Sequence, residues 1–192
     1  HLGDLYRLTK RDIGFNRQYM NFVILGDPAL KLAYPEQKVF TTSINSQTLN
    51  ITSSDTLKAL KKMTITGFVG DKFGNKLTNF NGVVFPTVFD KEIKLVTLAN
   101  DPNPPNPQGS LVDTFKLQKN IIYKGKSTVN NGEFSFSFLV PKDISYSFGK
   151  GKITYYAHNG ITDANGYYDK IVVGGSETNA FVDNKGPEIK LF

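Results

Sequence analysis

The chain of 192 residues has no cysteine and no tryptophan, and only two histidines and two methionines. Without cysteine there is no thiol nucleophile, no disulfide framework, no zinc–thiolate site and no iron–sulfur cluster. The compartment stays open, because a chain without thiols is indifferent to redox conditions. No apolar run approaches the roughly 20 residues that span a bilayer as a helix. His1 to Lys10 mixes periodic apolar residues with charges, unlike a signal or transit peptide. Negative charge is in short supply: 17 Asp+Glu stand against 23 Lys+Arg, for a net charge of +6 and a pI near 9.3.

Aromatic side chains are plentiful, with 15 Phe and 9 Tyr. Hydrophobic residues make up 39% and charged residues 21%, which excludes a disordered chain and a membrane protein. The length suits one domain with at most an appendage. The start at His1 without a Met, and the close on Leu191-Phe192 after Gly186-Pro187, read as a piece cut from a longer chain.

Leu2, Leu5, Tyr6 and Leu8 recur at helical spacing, and Gly14 stops the pattern. Phe22 to Leu25 is an apolar run too short to type. In Gly26-Asp27-Pro28-Ala29-Leu30-Lys31-Leu32, Asp27 is placed as an N-cap and Pro28 as the first helical residue, predicting a short helical turn through Leu32. Tyr34-Pro35 ends it.

From Lys38 the pattern becomes that of strands. Val39–Ile44 and Met63–Val69 are expected strands, with a turn at Asp71–Asn75. Another strand is expected after Asn81-Gly82, with Val83, Phe85, Thr87 and Phe89 on one face and Pro86 arguing for an edge or a bulge. Asn100–Ser110 holds Pro102, Pro104, Pro105 and Pro107 and predicts an extended loop. Val129-Asn130-Asn131-Gly132-Glu133 predicts a tight hairpin. Beyond it, Phe134, Phe136, Phe138 and Val140 alternate with Ser135, Ser137 and Leu139, placing the rings on one buried face. Pro141 closes that strand. Lys152–Ala157 and Tyr168–Val173 are expected strands joined by a polar loop, His158–Tyr167. About seven short strands at such spacings predict an antiparallel sandwich.

Two stretches resemble a known family. Leu2-Gly3-Asp4-Leu5-Tyr6-Arg7-Leu8-Thr9-Lys10, then Asn21-Phe22-Val23-Ile24-Leu25-Gly26-Asp27-Pro28-Ala29-Leu30-Lys31-Leu32-Ala33-Tyr34-Pro35, resemble the end of the catalytic domain of gingipain-like (family C25) cysteine peptidases. Phe80–Lys91 and Val129–Asp143 resemble strands that follow it. Within the family the likeness is to the signal peptidase, or sortase, of the type IX secretion system of Bacteroidetes. The resemblance implies that residues 1–36 are the α-helical tail of a caspase-like catalytic domain. It implies that residues 37–192 form a mainly β, immunoglobulin-like antiparallel β-sandwich. The family's Cys and His lie upstream of the Gly-Asp-Pro segment, so no catalytic residue carries over. An upstream catalytic domain of the same parent chain is the implied partner. The extracellular face of the outer membrane, or the secreted state, is the implied location, with outer-membrane secretion components nearby.

Other chemistry is thin. The resemblance puts the family's catalytic His upstream of this segment, so His1 carries no catalytic role, and His158 reads as a solvated turn residue lacking metal partners at ligand spacing. No Gly-x-Ser-x-Gly elbow occurs. Asp71, Asp101, Asp163 and Asp183 read as turn residues rather than paired catalytic carboxylates. Calcium, which takes about six to eight oxygens, is the one cofactor worth weighing. Asp71-Lys72-Phe73-Gly74-Asn75 and Thr162-Asp163-Ala164-Asn165-Gly166 cluster oxygen donors, yet both suit ordinary Asx-turns, so no metal, cofactor or catalytic residue is assigned. Lys58, Lys61 and Lys62 cluster, as do Lys116, Lys119, Lys124 and Lys126. Arg7, Arg11 and Arg17 all lie near the start and no nucleic-acid motif accompanies them. The anion expected for the lysines is lipopolysaccharide phosphate. Tyr155, Tyr156, Tyr167 and Tyr168 are candidates for the alternative function, an adhesin or carbohydrate-binding module with no enzymatic parent.

Overall fold

The computed structural model describes residues 1–13, 23–49, 56–99 and 111–178. The Gly14 stop, the proline-rich loop at 100–110 and the C-terminal Gly-Pro segment lie outside the described residues. The chain forms two compact units, His1–Pro35 and Glu36–Phe192.

The first unit holds α1 (Leu2–Ile13) and the segment 23–35. Asp4 lies in the first turn of α1 and Lys10 and Arg11 in the last, each on the side the helix dipole favours. The unpaired donors at the N-terminus of α1 find carbonyls in the Gly-Asp-Pro segment. Leu2 N–H donates to Leu30 O at 3.0 Å and Gly3 N–H to Pro28 O at 2.8 Å. Gly3 is required there, since a Cβ would stand 2.9 Å from Pro28 O. Asp27 Oδ1 accepts from Ala29 N–H at 2.8 Å, as a cap would, but only one turn forms. The expected helical turn through Leu32 does not continue, because the carbonyls that would propagate it already serve α1.

Among its described residues the second unit holds fourteen strands. In order they are β1 (Gln37–Ile44), β2 (Gln47–Thr48), β3 (Thr56–Ala59), β4 (Lys62–Gly70), β5 (Gly82–Phe89), β6 (Ile93–Val96) and β7 (Thr114–Leu117). There follow β8 (Ile121–Lys124), β9 (Ser127–Asn130), β10 (Glu133–Leu139), β11 (Gly149–Lys150), β12 (Lys152–His158), β13 (Asp163–Tyr168) and β14 (Val172–Ser176). The order β12-β13-β1-β4-β10-β9-β5 returns to β12 through an antiparallel ladder from Lys152↔Phe89 to His158↔Val83. The sheet therefore closes on itself.

That closure overturns the expected immunoglobulin-like antiparallel sandwich. The unit is a closed seven-strand mixed β-barrel with extra strands. It is mixed because β1 runs parallel to β13, Gln37 opposite Ala164 and Lys38 opposite Asn165. Closure pairs both sides of every barrel strand and so removes the free edges that two separate sheets would leave. Gly166 makes the parallel seam possible: a Cβ there would lie 2.1 Å from Val39 O. Strands β11, β14 and β3 form a small second sheet, and β6 and β7 a two-stranded ribbon.

Alternate residues fill the barrel. Met63, Ile65 and Val69 of β4 and Phe134, Phe136 and Phe138 of β10 point inward, the phenylalanines as expected. The Phe136 and Phe138 rings stack on Tyr123 at 5.7 and 4.6 Å. On β5 the buried set is Val84, Pro86 and Val88, so the face carrying Val83, Phe85, Thr87 and Phe89 is the outer, half-buried one. Nor is β5 an edge, since β12 flanks it on one side and β9 then β8 on the other. Pro86 sits where β9 hands over to β8, and its carbonyl accepts from Gly125 N–H at 3.1 Å. Its missing N–H would point to that same gap, so the β12 ladder loses no bond.

Candidate functional site

His1 and His158 each take a structural place among the described residues. The His1 ring Nδ1 lies 2.8 Å from Ala29 O, part of the junction between α1 and the Gly-Asp-Pro segment. His158 is the last residue of β12, not a turn residue, opposite Asp163 and Val83. The turn begins one residue later, where Asn159 Oδ1 accepts from Ile161 N–H at 3.0 Å and Thr162 N–H at 2.8 Å. The His158 ring stacks on Phe85 at 5.7 Å, with Tyr156 beside both.

The two oxygen-rich loops differ. Asp71 Oδ1 accepts from Phe73 N–H at 2.8 Å and Asn75 N–H at 2.9 Å, and Oδ2 accepts from Asn75 Nδ2 at 2.9 Å. The bond from the Asn75 side chain holds the Asp71 carboxyl below its ordinary pKa. Asp71–Asn75 is the expected turn. Thr162–Gly166 is not: Asp163 to Tyr168 is β13, a strand hidden in what composition reads as a loop. Among the described residues, no three His, Asp or Glu side chains gather as a metal set.

The four candidate tyrosines divide. Tyr155 points into the barrel, where its hydroxyl meets Thr41 Oγ1 at 2.8 Å. Burial pushes its phenol well above the ordinary pKa. Tyr168 is half-buried, and its phenol is also raised, by burial first and by Asp169 second. Tyr156 and Tyr167 are exposed. The lysines of the second cluster lie on or beside the ribbon and its neighbour: Lys116 on β7, Lys119 after it, Lys124 at the end of β8 and Lys126 just beyond.

One polar centre has no sequence expectation behind it. Asp90, 6% exposed, directly follows β5. Its Oδ1 accepts from Lys91 N–H at 2.7 Å and Lys91 Nζ at 2.9 Å, while Lys91 Nζ also donates to Ser145 O at 2.8 Å. Gln118 Nε2 donates to Asp90 O at 2.7 Å. These bonds clasp the end of β5 to the loop after β10. The only sequence signal is an adjacent Asp-Lys pair at a strand end.

The surface best suited to contact other protein is in the first unit. Leu5, Val23, Leu25, Leu30 and Leu32 are all exposed, Leu25 by 95%. The Asp27 turn and the bonds to α1 position this segment but leave its leucines outward. Exposed large apolar side chains are candidates for contact with another protein surface.

No protein-family model matches the chain, and no curated protein matches it. Solved structures do. Dimeric latent PorU from Porphyromonas gingivalis matches at 32% sequence identity and a TM-score of 0.61, over 81% of this chain and 14% of that one. This chain thus spans only a small part of that relative's length. Spo0M, the sporulation control protein from Bacillus subtilis, matches at 14% identity and a TM-score of 0.40, over 74% of this chain and 51% of that one. That second likeness is too slight to support any argument. The first bears out the gingipain-like resemblance, PorU being a type IX secretion sortase of that family.

Proposed function

We propose, on the premise that this chain corresponds to a segment of a PorU-like protein, that it is the non-catalytic C-terminal part of a gingipain-like cysteine peptidase. The parent would act in processing secreted surface proteins. Residues 1–36 would be the tail of its catalytic domain and residues 37–192 the domain that follows, a barrel. The observation that carries this reading is 32% identity over 81% of a chain that contains no cysteine. A segment of a cysteine peptidase that lacks cysteine is the part outside the active site.

The exposed leucines of the first unit support the reading, because a catalytic-domain tail has the rest of that domain to cover them. The segment would close off the catalytic domain and present it to secreted substrates. Its place would be the extracellular face of the outer membrane or the secreted state. Outer-membrane secretion components would lie nearby, and lipopolysaccharide phosphate would be within reach of Lys116, Lys119, Lys124 and Lys126.

The encoded chain upstream of His1 tests this. A His followed some tens of residues later by a Cys, each after an apolar strand, is the expected finding. A signal peptide ending just before His1 would overturn it. The second reading, a carbohydrate-binding module, has one observation in its favour. Phe85, Tyr156 and His158 form a row of stacked rings on the outer wall, and Tyr156 is 45% exposed. A glycan array probed with the 192-residue chain separates the two readings.

A further inference from the structure

The ribbon β6–β7 is amphipathic in an unusual way. Its register pairs Ile93 with Leu117, Lys94 with Lys116, Leu95 with Phe115 and Val96 with Thr114. Side chains alternate across a strand. One face therefore carries Ile93 and Leu95, both half-buried, with Phe115 and Leu117, and the other carries Lys94 and Lys116 with Val96 and Thr114. Phe115 is 47% exposed, and Leu117 is exposed to a similar degree. Beyond the paired residues, Leu98, Leu111 and Val112 are exposed as well.

The two lysines are placed as unfavourably as a sheet allows. Thr97 N–H donates to Asp113 O at 2.9 Å. By alternation, Leu95–Phe115 and Ile93–Leu117 are hydrogen-bonded pairs, and Lys94–Lys116 is of the other kind, in which opposite side chains stand closest. Like charges so placed repel. Among the described residues Lys116 has an ion pair with Glu92, at 3.9 Å, with both side chains exposed. Lys119 and Lys124, next along the chain, form no ion pair among the described residues. An isolated two-stranded ribbon is marginal in water even without such repulsion.

The geometry points to an anionic lipid surface as the partner of this ribbon. Lipid meets both needs at once. The apolar face sinks to the boundary of the acyl chains, while the lysines reach on their long stems to the phosphates. Headgroup phosphates between Lys94 and Lys116 also remove the repulsion across the pair. This sharpens the lipopolysaccharide contact proposed above and rests on that reading for the identity of the lipid alone.

Sedimentation of the 192-residue chain with vesicles is the test. The vesicles are phosphatidylcholine with about one-third phosphatidylglycerol, compared with phosphatidylcholine alone. Binding is expected to the anionic vesicles and to weaken as salt rises from about 0.05 to about 0.5 M. Lys94→Glu should weaken it about tenfold, because the contact loses a positive charge and gains a negative one. The same change sets a carboxylate opposite Lys116, so the melting temperature should hold or rise. Loss of binding is thus separable from loss of fold. Lys72→Glu makes the same change of net charge in the turn at the other end of the barrel and should leave binding within about twofold. Phe115→Ser should abolish the part of the binding that survives high salt. The proposal is overturned by absence of binding to anionic vesicles, by equal losses from Lys94→Glu and Lys72→Glu, or by an unchanged Phe115→Ser. None of these results would touch the peptidase reading, which stands or falls on the encoded upstream chain.

Discussion

Asp90 and Lys91 are neighbours in the chain and partners in space, and their pairing is mostly sealed from water at 2.9 Å, with 9% and 12% of their side chains exposed. Removing one member leaves a buried charge without compensation, which is costlier than losing an exposed pair. Asp90→Ala should lower unfolding stability by about 3 kcal/mol in urea titration, and Asp90→Ala with Lys91→Met by clearly less. Tyr155 makes the second prediction at this scale. Its folded pKa is raised by burial, above the unfolded value of about 10. The unfolded chain therefore loses its proton first, and stability present below about pH 10 falls as pH rises beyond it. Tyr155→Phe should cost about 1 kcal/mol at neutral pH, through the lost bond to Thr41, and should flatten the alkaline limb of the stability curve. An alkaline limb as steep as in the unsubstituted protein would refute the assignment to Tyr155. Neither role is legible in the sequence, which offers Tyr155 only as one of four candidate glycan-binding tyrosines. A Tyr in a strand and an Asp beside a Lys are ordinary until burial changes their energetics.

Elements were legible where local chemistry decides them. The hairpin between β9 and β10 turns through Asn131 and Gly132, with φ of 50° and 78°. That double left-handed turn is what Asn-Gly favours. At Gly132 a Cβ would also sit 2.4 Å from Leu77 O. Gly132→Ala should therefore destabilise the protein by more than about 1 kcal/mol, read as a shift in the urea midpoint at constant slope. The alternating phenylalanines of β10 were equally legible, because period two needs no tertiary knowledge. Strand β13 was not. Asp163-Ala164-Asn165-Gly166 has the composition of a turn, and pairing with β12 on one side and β1 on the other makes it a strand, with Gly166 admitting the close approach of Val39. The shared face of Val83, Phe85, Thr87 and Phe89 on β5 was legible, but not that it is the outward one. Val83, Phe85, Thr87 and Phe89 are as apolar as the inward set, so alternation alone could not say which face is buried. Ring stacking of Phe85 with His158 explains why an outer face carries aromatics.

At the scale of the whole molecule, the barrel has its own core from Val39 to Val173, and the first unit is compact by itself. A chain of residues 36–192 should therefore keep a single cooperative thermal transition, with circular dichroism of a β protein. Loss of that transition would show that the barrel depends on the first unit. The candidate interfaces divide in the same way: exposed leucines in the first unit, the lysine-bearing ribbon in the second. The amino-acid order by itself determined the β class, the hairpin, the phenylalanine face, the absence of thiol chemistry and the family likeness carried by the Gly-Asp-Pro segment. Each of these depends on residue identity or short-range period. Only the tertiary structure decided that the strands close into a mixed barrel and not a sandwich. Barrel and sandwich bury the same alternating residues. What separates them is which strands pair, and the ladders of β5 with β12 and β1 with β13 join segments far apart in the chain. Local pattern carries no trace of such pairings, because their energy lies in backbone hydrogen bonds that any sequence can make once the strands are brought together.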